Sequence, residues 1–161
     1  MRFYIKEKLF SLGDSFVIWN QQDEEAFYVK GQVFSFGNKL RLYDKYNNEL
    51  IYIEQKVFSL MPEYNIYAGN NLLANIRKKV RLFSHSFNIE SLYGSFNIEG
   101  DYTAHDFSVI KNSSKNAASL SKKWFSFGDT YEIYIADDEN IPFMLALVIV
   151  IDQAIHDKNN N

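Results

Sequence analysis

The residues with the clearest capacity for chemistry form a short basic run, Arg77-Lys78-Lys79-Val80-Arg81. Alternate side chains of a β-strand share a face, so Arg77, Lys79 and Arg81 would point one way and Lys78 the other, with Ile76, Val80 and Leu82. Three cations in a row make a local positive stripe that can meet the phosphates of a lipid headgroup or of a nucleic acid. An ordinary solvated face guarding a sheet edge would use the same residues. Lys111, Lys115, Lys122 and Lys123 form a second, weaker basic region.

Catalytic chemistry has less to stand on. His85, His105 and His156 are isolated, and the sequence holds neither a His-Glu-x-x-His pair nor a Gly-x-Ser-x-Gly elbow. His105 and Asp106 would face opposite ways on a strand. Asp152 and His156 are four apart, a helical spacing that pairs them as a stability feature. The acids Asp137-Asp138-Glu139 precede an apolar run, where negative charge favours a helix start; the glycine and terminal Glu of a calcium loop are missing. The reading is therefore no catalytic residue, no metal and no cofactor, with the histidines solvated or structural.

The elements that position these residues announce themselves by repetition. Leu9-Phe10-Ser11-Leu12-Gly13-Asp14-Ser15-Phe16 returns as Val33-Phe34-Ser35-Phe36-Gly37-Asn38 and as Trp124-Phe125-Ser126-Phe127-Gly128-Asp129, with degraded copies at Phe58-Ser59 and Phe83-Ser84. A period near 24 residues means one supersecondary unit used several times. Each unit reads as strand, polar turn, strand and phrase, with Asn, Asp and Gly in the turns. The phrase itself reads as a tight turn between units, its Gly-Asp or Gly-Asn forming the bend and its aromatics packing the corner. It has no phosphate-loop pattern. Strands are expected at 3–9, 14–19, 26–33, 39–43, 50–57, 64–67, 72–82, 86–91, 96–99, 104–111, 117–124 and 131–135.

The last element differs. Residues 141–151 are apolar without a break, after an N-cap candidate, Asn140, and with Pro142 in the first turn. A helix apolar on all sides must be enclosed, and a run rising about 16 Å is too short for a bilayer core of about 30 Å. The expected architecture is mainly β: a single antiparallel barrel over 1–157 enclosing a helix at about 141–155, with 158–161 a disordered tail.

Composition narrows the partners. A formal charge of −3 gives no global reason to expect nucleic acid, and the absence of cysteine excludes disulfides and thiolate metal sites while suiting a reducing cytoplasm. The first eight residues carry charge where an export signal needs an apolar run.

Residues 8–14 and 56–60, together with the ending 137–152, resemble bacterial members of the LURP-one-related family, within the tubby-like superfamily. The resemblance implies a twelve-stranded barrel around a central hydrophobic helix and implies no enzyme activity. Tubby proteins bind phosphoinositides, and scramblases are associated with lipid and calcium. The resulting expectation is a non-catalytic cytoplasmic binding module, monomeric, touching the inner membrane surface at its periphery. It would recognise an anionic phospholipid or a protein partner through Arg77, Lys79 and Arg81. A nucleic-acid-associated regulator, or an enzyme with a pocket at a barrel end, is the alternative.

Overall fold

The computed structural model describes residues 1–6, 15–32, 37–80, 85–125 and 128–156. Twelve strands precede one helix: β1 (Arg2–Ile5), β2 (Phe16–Asn20), β3 (Glu25–Gly31), β4 (Lys39–Asp44), β5 (Glu49–Gln55), β6 (Glu63–Ala68), β7 (Asn71–Val80), β8 (His85–Ser91), β9 (Phe96–Asp101), β10 (Asp106–Lys111), β11 (Lys115–Phe125), β12 (Gly128–Ile135) and α1 (Ile141–His156). Each strand pairs antiparallel with the next except at β8 and β9, and β1 joins β12, giving the order 8-7-6-5-4-3-2-1-12-11-10-9. The result is a nearly closed barrel whose seam lies between β8 and β9.

Alternation explains why the sheet curls. Ile18, Leu40 and Leu42, Ile51 and Ile53, Tyr64 and Ile66, Phe107 and Val109, and Ile133 and Ile135 are buried on six of the strands, each of which offers an apolar face to the interior. The hairpins β2–β3, β4–β5, β6–β7 and β10–β11 each shift register next to their turn, at Ile18/Trp19, Leu42/Tyr43, Ile66/Tyr67 and Val109/Ile110. Such a bulge adds local twist, and its recurrence gives the sequence period a structural counterpart. Gly100 has φ +125°, and a Cβ there would lie 2.6 Å from the Asp106 carbonyl oxygen, so the β9–β10 pair approaches as only glycine permits.

The interior is filled by α1. Every residue from Phe143 to Ala154 is buried, as an all-apolar stretch requires. Asn140 caps the helix, its Oδ1 accepting from Phe143 N at 3.0 Å. No described helix is long and apolar enough to cross a membrane.

Strand reversal sorts the connections into two rims. The helix begins at the rim carrying the β2–β3, β4–β5, β6–β7, β8–β9 and β10–β11 turns. It ends at the other, where Tyr102–Ala104 forms a short 3-10 turn between β9 and β10. Strands flanking residues 7–14, 33–36, 56–62, 81–84 and 126–127 all open onto this helix-end rim.

Three expectations need correction. Ala104 belongs to the 3-10 turn rather than a strand, because the Asp101 carboxylate accepts from Thr103 N and Ala104 N and turns the chain. Phe125 pairs with Gly128, so Gly128 and Asp129 are strand residues and not the bend. The one fully described copy of the phrase is a broad connection closed by Lys56 N donating to Glu63 O at 2.8 Å. Its Phe58 stands in solvent instead of packing a corner. The aromatic that follows the phrase does pack: Phe16, Tyr64 and Tyr131 are core residues. Gly37, with φ +79° and Gln55 O only 2.9 Å from a hypothetical Cβ, turns as expected. Most residues of the other copies lie outside the described residues.

Candidate functional site

The basic stripe sits on β7, on the outside of the barrel near the helix-end rim. Arg77 and Lys79 are exposed, as alternation predicts; Arg81 lies outside the described residues. Lys78 turns inward, where its ammonium donates to the Ala154 carbonyl at 3.1 Å, at the negative end of the α1 dipole. On β8, Glu90 reaches Arg77 by charge from a diagonal position, but Asn88 stands opposite Arg77 and Ser86 opposite Lys79, so no acid directly opposes the stripe from that side.

From β6 one acid does. Glu63 receives Arg77 Nε at 3.0 Å, Asn75 Nδ2 at 2.9 Å and the Ser59 hydroxyl at 3.0 Å. The Arg77 bond, then those from Asn75 and Ser59, hold the Glu63 carboxyl below the usual carboxylate range. This carboxylate ties the 56–62 connection to β7 and answers part of the positive charge. Lys79 has no ion-pair partner among the described residues.

What the connection presents is apolar. Phe58 and Leu60 are both 103 % exposed and Val57 is 50 % exposed. Between them and β7 lies an open depression of about 540 Å³, lined by Lys56, Phe58, Leu60, Met61, Glu63 and Arg77. A fully exposed Phe and Leu beside cations form an amphipathic edge, and composition gives no sign of it.

The second basic region is neutralised. Lys111 and Lys115 both donate to the buried Glu139, at 2.8 and 2.7 Å, and Lys115 also reaches Asp138 at 2.6 Å. Lys122 pairs with Asp129 at 2.8 Å, and Lys123 lies 3.5 Å from Glu132. Burial raises the Glu139 carboxyl, but the bonds and charges of the two lysines more than reverse it, and it ionises below its ordinary value. The acids before α1 thus join the helix start to the β10–β11 hairpin, while Asn140 does the capping.

Two of the histidines are not isolated. At the helix-end rim His105 Nδ1 lies 2.8 Å from Asp152 Oδ1, where its N–H donates, and the His156 ring stacks on His105 at 3.9 Å and 19°. His156 Nε2 is 3.8 Å from the same carboxylate oxygen and 3.0 Å from Tyr102 O. Asp152 is fully buried; burial raises its pKa, and the bond from His105 and the charges of both imidazoles oppose the rise. The helical spacing of Asp152 and His156 is legible in the sequence, but nothing local to His105 announces a partner 47 residues away. An open depression of about 430 Å³ at the opposite rim, lined in part by Phe3, Ala26, Phe27 and Tyr46, has no histidine among its described walls.

Comparison with known proteins places this geometry in a family. Residues 1–152 match the model of the family described as LURP-one-related. The chain is similar to a Bacillus subtilis (strain 168) protein named "Uncharacterized protein YxjI", 34 % identical over 153 residues that span 95 % of this chain and 93 % of that one. Its fold is similar to the X-ray structure of a protein from Arabidopsis thaliana, with TM-score 0.65 and 16 % identity over 96 % of this chain and 92 % of that one. That last likeness concerns the fold, and it agrees with a barrel built around its C-terminal helix. On the family model and the bacterial relative together, the chain belongs to the LURP-one-related family.

Proposed function

We propose that this protein is a non-catalytic binding module that docks reversibly on an anionic phospholipid surface through its helix-end rim. The observation that carries the reading is the pairing of fully exposed Phe58 and Leu60 with the cations Lys56, Arg77 and Lys79 on one edge. Apolar side chains enter the boundary between headgroups and acyl chains, and basic ones meet phosphates in the plane above it. In the sequence Arg81 is the next cation of the same alternation, and it lies outside the described residues.

Magnitudes make the contact reversible. Burying a Phe or Leu side chain fully is worth about 1.5–3 kcal/mol, and each basic residue near an anionic leaflet about 1 kcal/mol. Partial insertion of two apolar residues with two or three effective cations gives roughly 4–8 kcal/mol, a dissociation constant between millimolar and micromolar. Glu63, already bonded to Arg77, places the true value toward the weaker end. A chain without cysteine suits the cytoplasmic face of a membrane.

Sedimentation with vesicles of phosphatidylcholine alone and with added phosphatidylserine tests the reading. Binding that needs the anionic lipid and falls between low and high salt supports it. Failure to sediment with either vesicle removes it, and retention by a protein partner in the same assay conditions would point to the macromolecular alternative.

A further inference from the structure

We propose that His105, Asp152 and His156 form a binding site for a divalent transition-metal ion at the exit of the central helix. One potential ligand atom from each of the three residues lies within 4.8 Å of the other two. Two come from one helix face by i, i+4 spacing, and the third from the residue closing the 3-10 turn between β9 and β10. That third residue is held firmly: His105 has φ 54°, its N–H donates to Tyr102 O at 3.2 Å, and Asp101 caps the turn before it.

A second observation calls for a cation. Asp152 is 0 % exposed, and its Oδ2 has no hydrogen-bond partner. A buried carboxylate with an unpartnered oxygen is costly, and such groups in folded proteins are paired or ligate metals. No lysine or arginine bonds it among the described residues. The neighbours it does have are imidazoles, which bind transition metals well and calcium or magnesium poorly.

Distances permit coordination with small motions. The two separations to Asp152 Oδ1 are 2.8 Å from His105 Nδ1 and 3.8 Å from His156 Nε2. They bracket the edge of about 3.4 Å expected between ligands of a tetrahedral zinc with bonds near 2.0–2.1 Å. The rings now stack nearly parallel, so binding requires them to turn apart, with His105 Nδ1 and His156 Nε2 releasing to solvent the protons they hold toward Asp152 and Tyr102 O, until both nitrogens face the ion. Side chains 17 % and 25 % exposed leave room for that motion and a path for the ion from the rim. Three protein ligands leave a fourth position for water. The ion would bolt the end of α1 to the β9–β10 connection, independently of any lipid contact.

Zinc and cobalt are the probes. Chelator-treated full-length protein dialysed against zinc is expected to take up one equivalent, with a visible d–d absorption band when cobalt replaces it. The thermal midpoint should rise by roughly 5–10 °C at a hundredfold excess of zinc over its dissociation constant. His105→Ala, His156→Ala and Asp152→Asn should each weaken uptake tenfold or more with the circular dichroism unchanged. If Asp152→Asn fails to fold, the two histidine variants decide between site and no site. No stoichiometric uptake at roughly 0.1 mM zinc, a level far above what structural zinc sites require, overturns the proposal. Uptake that survives both histidine replacements overturns it equally.

Discussion

The two rims of this barrel are built on opposite terms. Where α1 begins, charges are matched: Glu139 is buried between Lys111 and Lys115, Asn140 caps the first turn, and Tyr93 packs on Phe143 at 4.5 Å. Where α1 ends, a buried carboxylate has an oxygen without a partner, two aromatic nitrogen rings crowd it, and Phe58 and Leu60 stand in water. The first rim resolves its polar groups within the molecule. The second leaves a buried oxygen and two large apolar side chains without partners inside the molecule, and the proposed contact is placed there for that reason.

The largest effect should come from what both rims share. Ile149 is 1 % exposed in the barrel interior. Ile149→Asp would place an unpaired charge there at a cost of several kcal/mol, out of the roughly 5–15 kcal/mol that holds such a domain together. Loss of the cooperative unfolding transition is expected. A variant that folds normally and only loses membrane binding would make α1 an anchor and erase the contrast between the rims.

Next is the helix-end rim, where contact is proposed. Replacing Arg77, Lys79 and Arg81 together by Ser should weaken binding to anionic vesicles about a hundredfold, at about 1 kcal/mol per cation. The thermal midpoint should fall by only a few degrees, since Arg77 gives up its bond to Glu63 while Lys79 is an exposed charge that adds little to folding. Early unfolding would mean that the stripe faces an element of the fold, and unchanged binding would leave it a solvated face.

The matched rim should respond in stability alone. Glu139→Gln leaves two ammonium groups short of a counter-charge and should cost about 2 kcal/mol at neutral pH. In the folded protein Glu139 ionises below the usual glutamate value, so in mild acid it binds fewer protons than the unfolded chain does. Its contribution is full above the unfolded value and is lost as pH falls through the lower folded one. The gap between wild type and Glu139→Gln, followed by denaturant unfolding, should therefore close in acid. The smallest effect belongs to Asp152→Asn in metal-free protein, which should change stability by less than about 1 kcal/mol because it removes a buried charge with an unmet oxygen. A loss as large as that of Glu139→Gln would make the two ends alike.

Much of this architecture is legible in the residues. Alternation gives the strands, the Phe-Ser period gives the hairpin repeat, and the unbroken run 141–151 gives an enclosed helix. What escapes is whatever depends on distant pairing. Lys111 and Lys115 look like a basic patch until Glu139 folds between them, and His105 looks solitary until the β9–β10 connection meets the end of α1. Phe58 misleads for a different reason. Its phrase matches copies that carry a glycine and reads as a tight turn, yet the connection it forms is broad and Phe58 stands in solvent.

Vesicle binding of two matched variants tests the contrast between the rims most directly. Phe58→Ser with Lys79→Ser removes an aromatic and a cation from the helix-end rim. Tyr46→Ser with Lys45→Ser removes the same kinds of group from the opposite rim, where Tyr46 is 75 % exposed and Lys45 lies over its ring at 5.2 Å. With phosphatidylserine vesicles, the first pair should lose at least tenfold in binding, corresponding to about 1.4 kcal/mol or more, while the second binds as the wild type does. Equal losses in both, or a loss confined to the second, would contradict the assignment of the helix-end rim as the contact face.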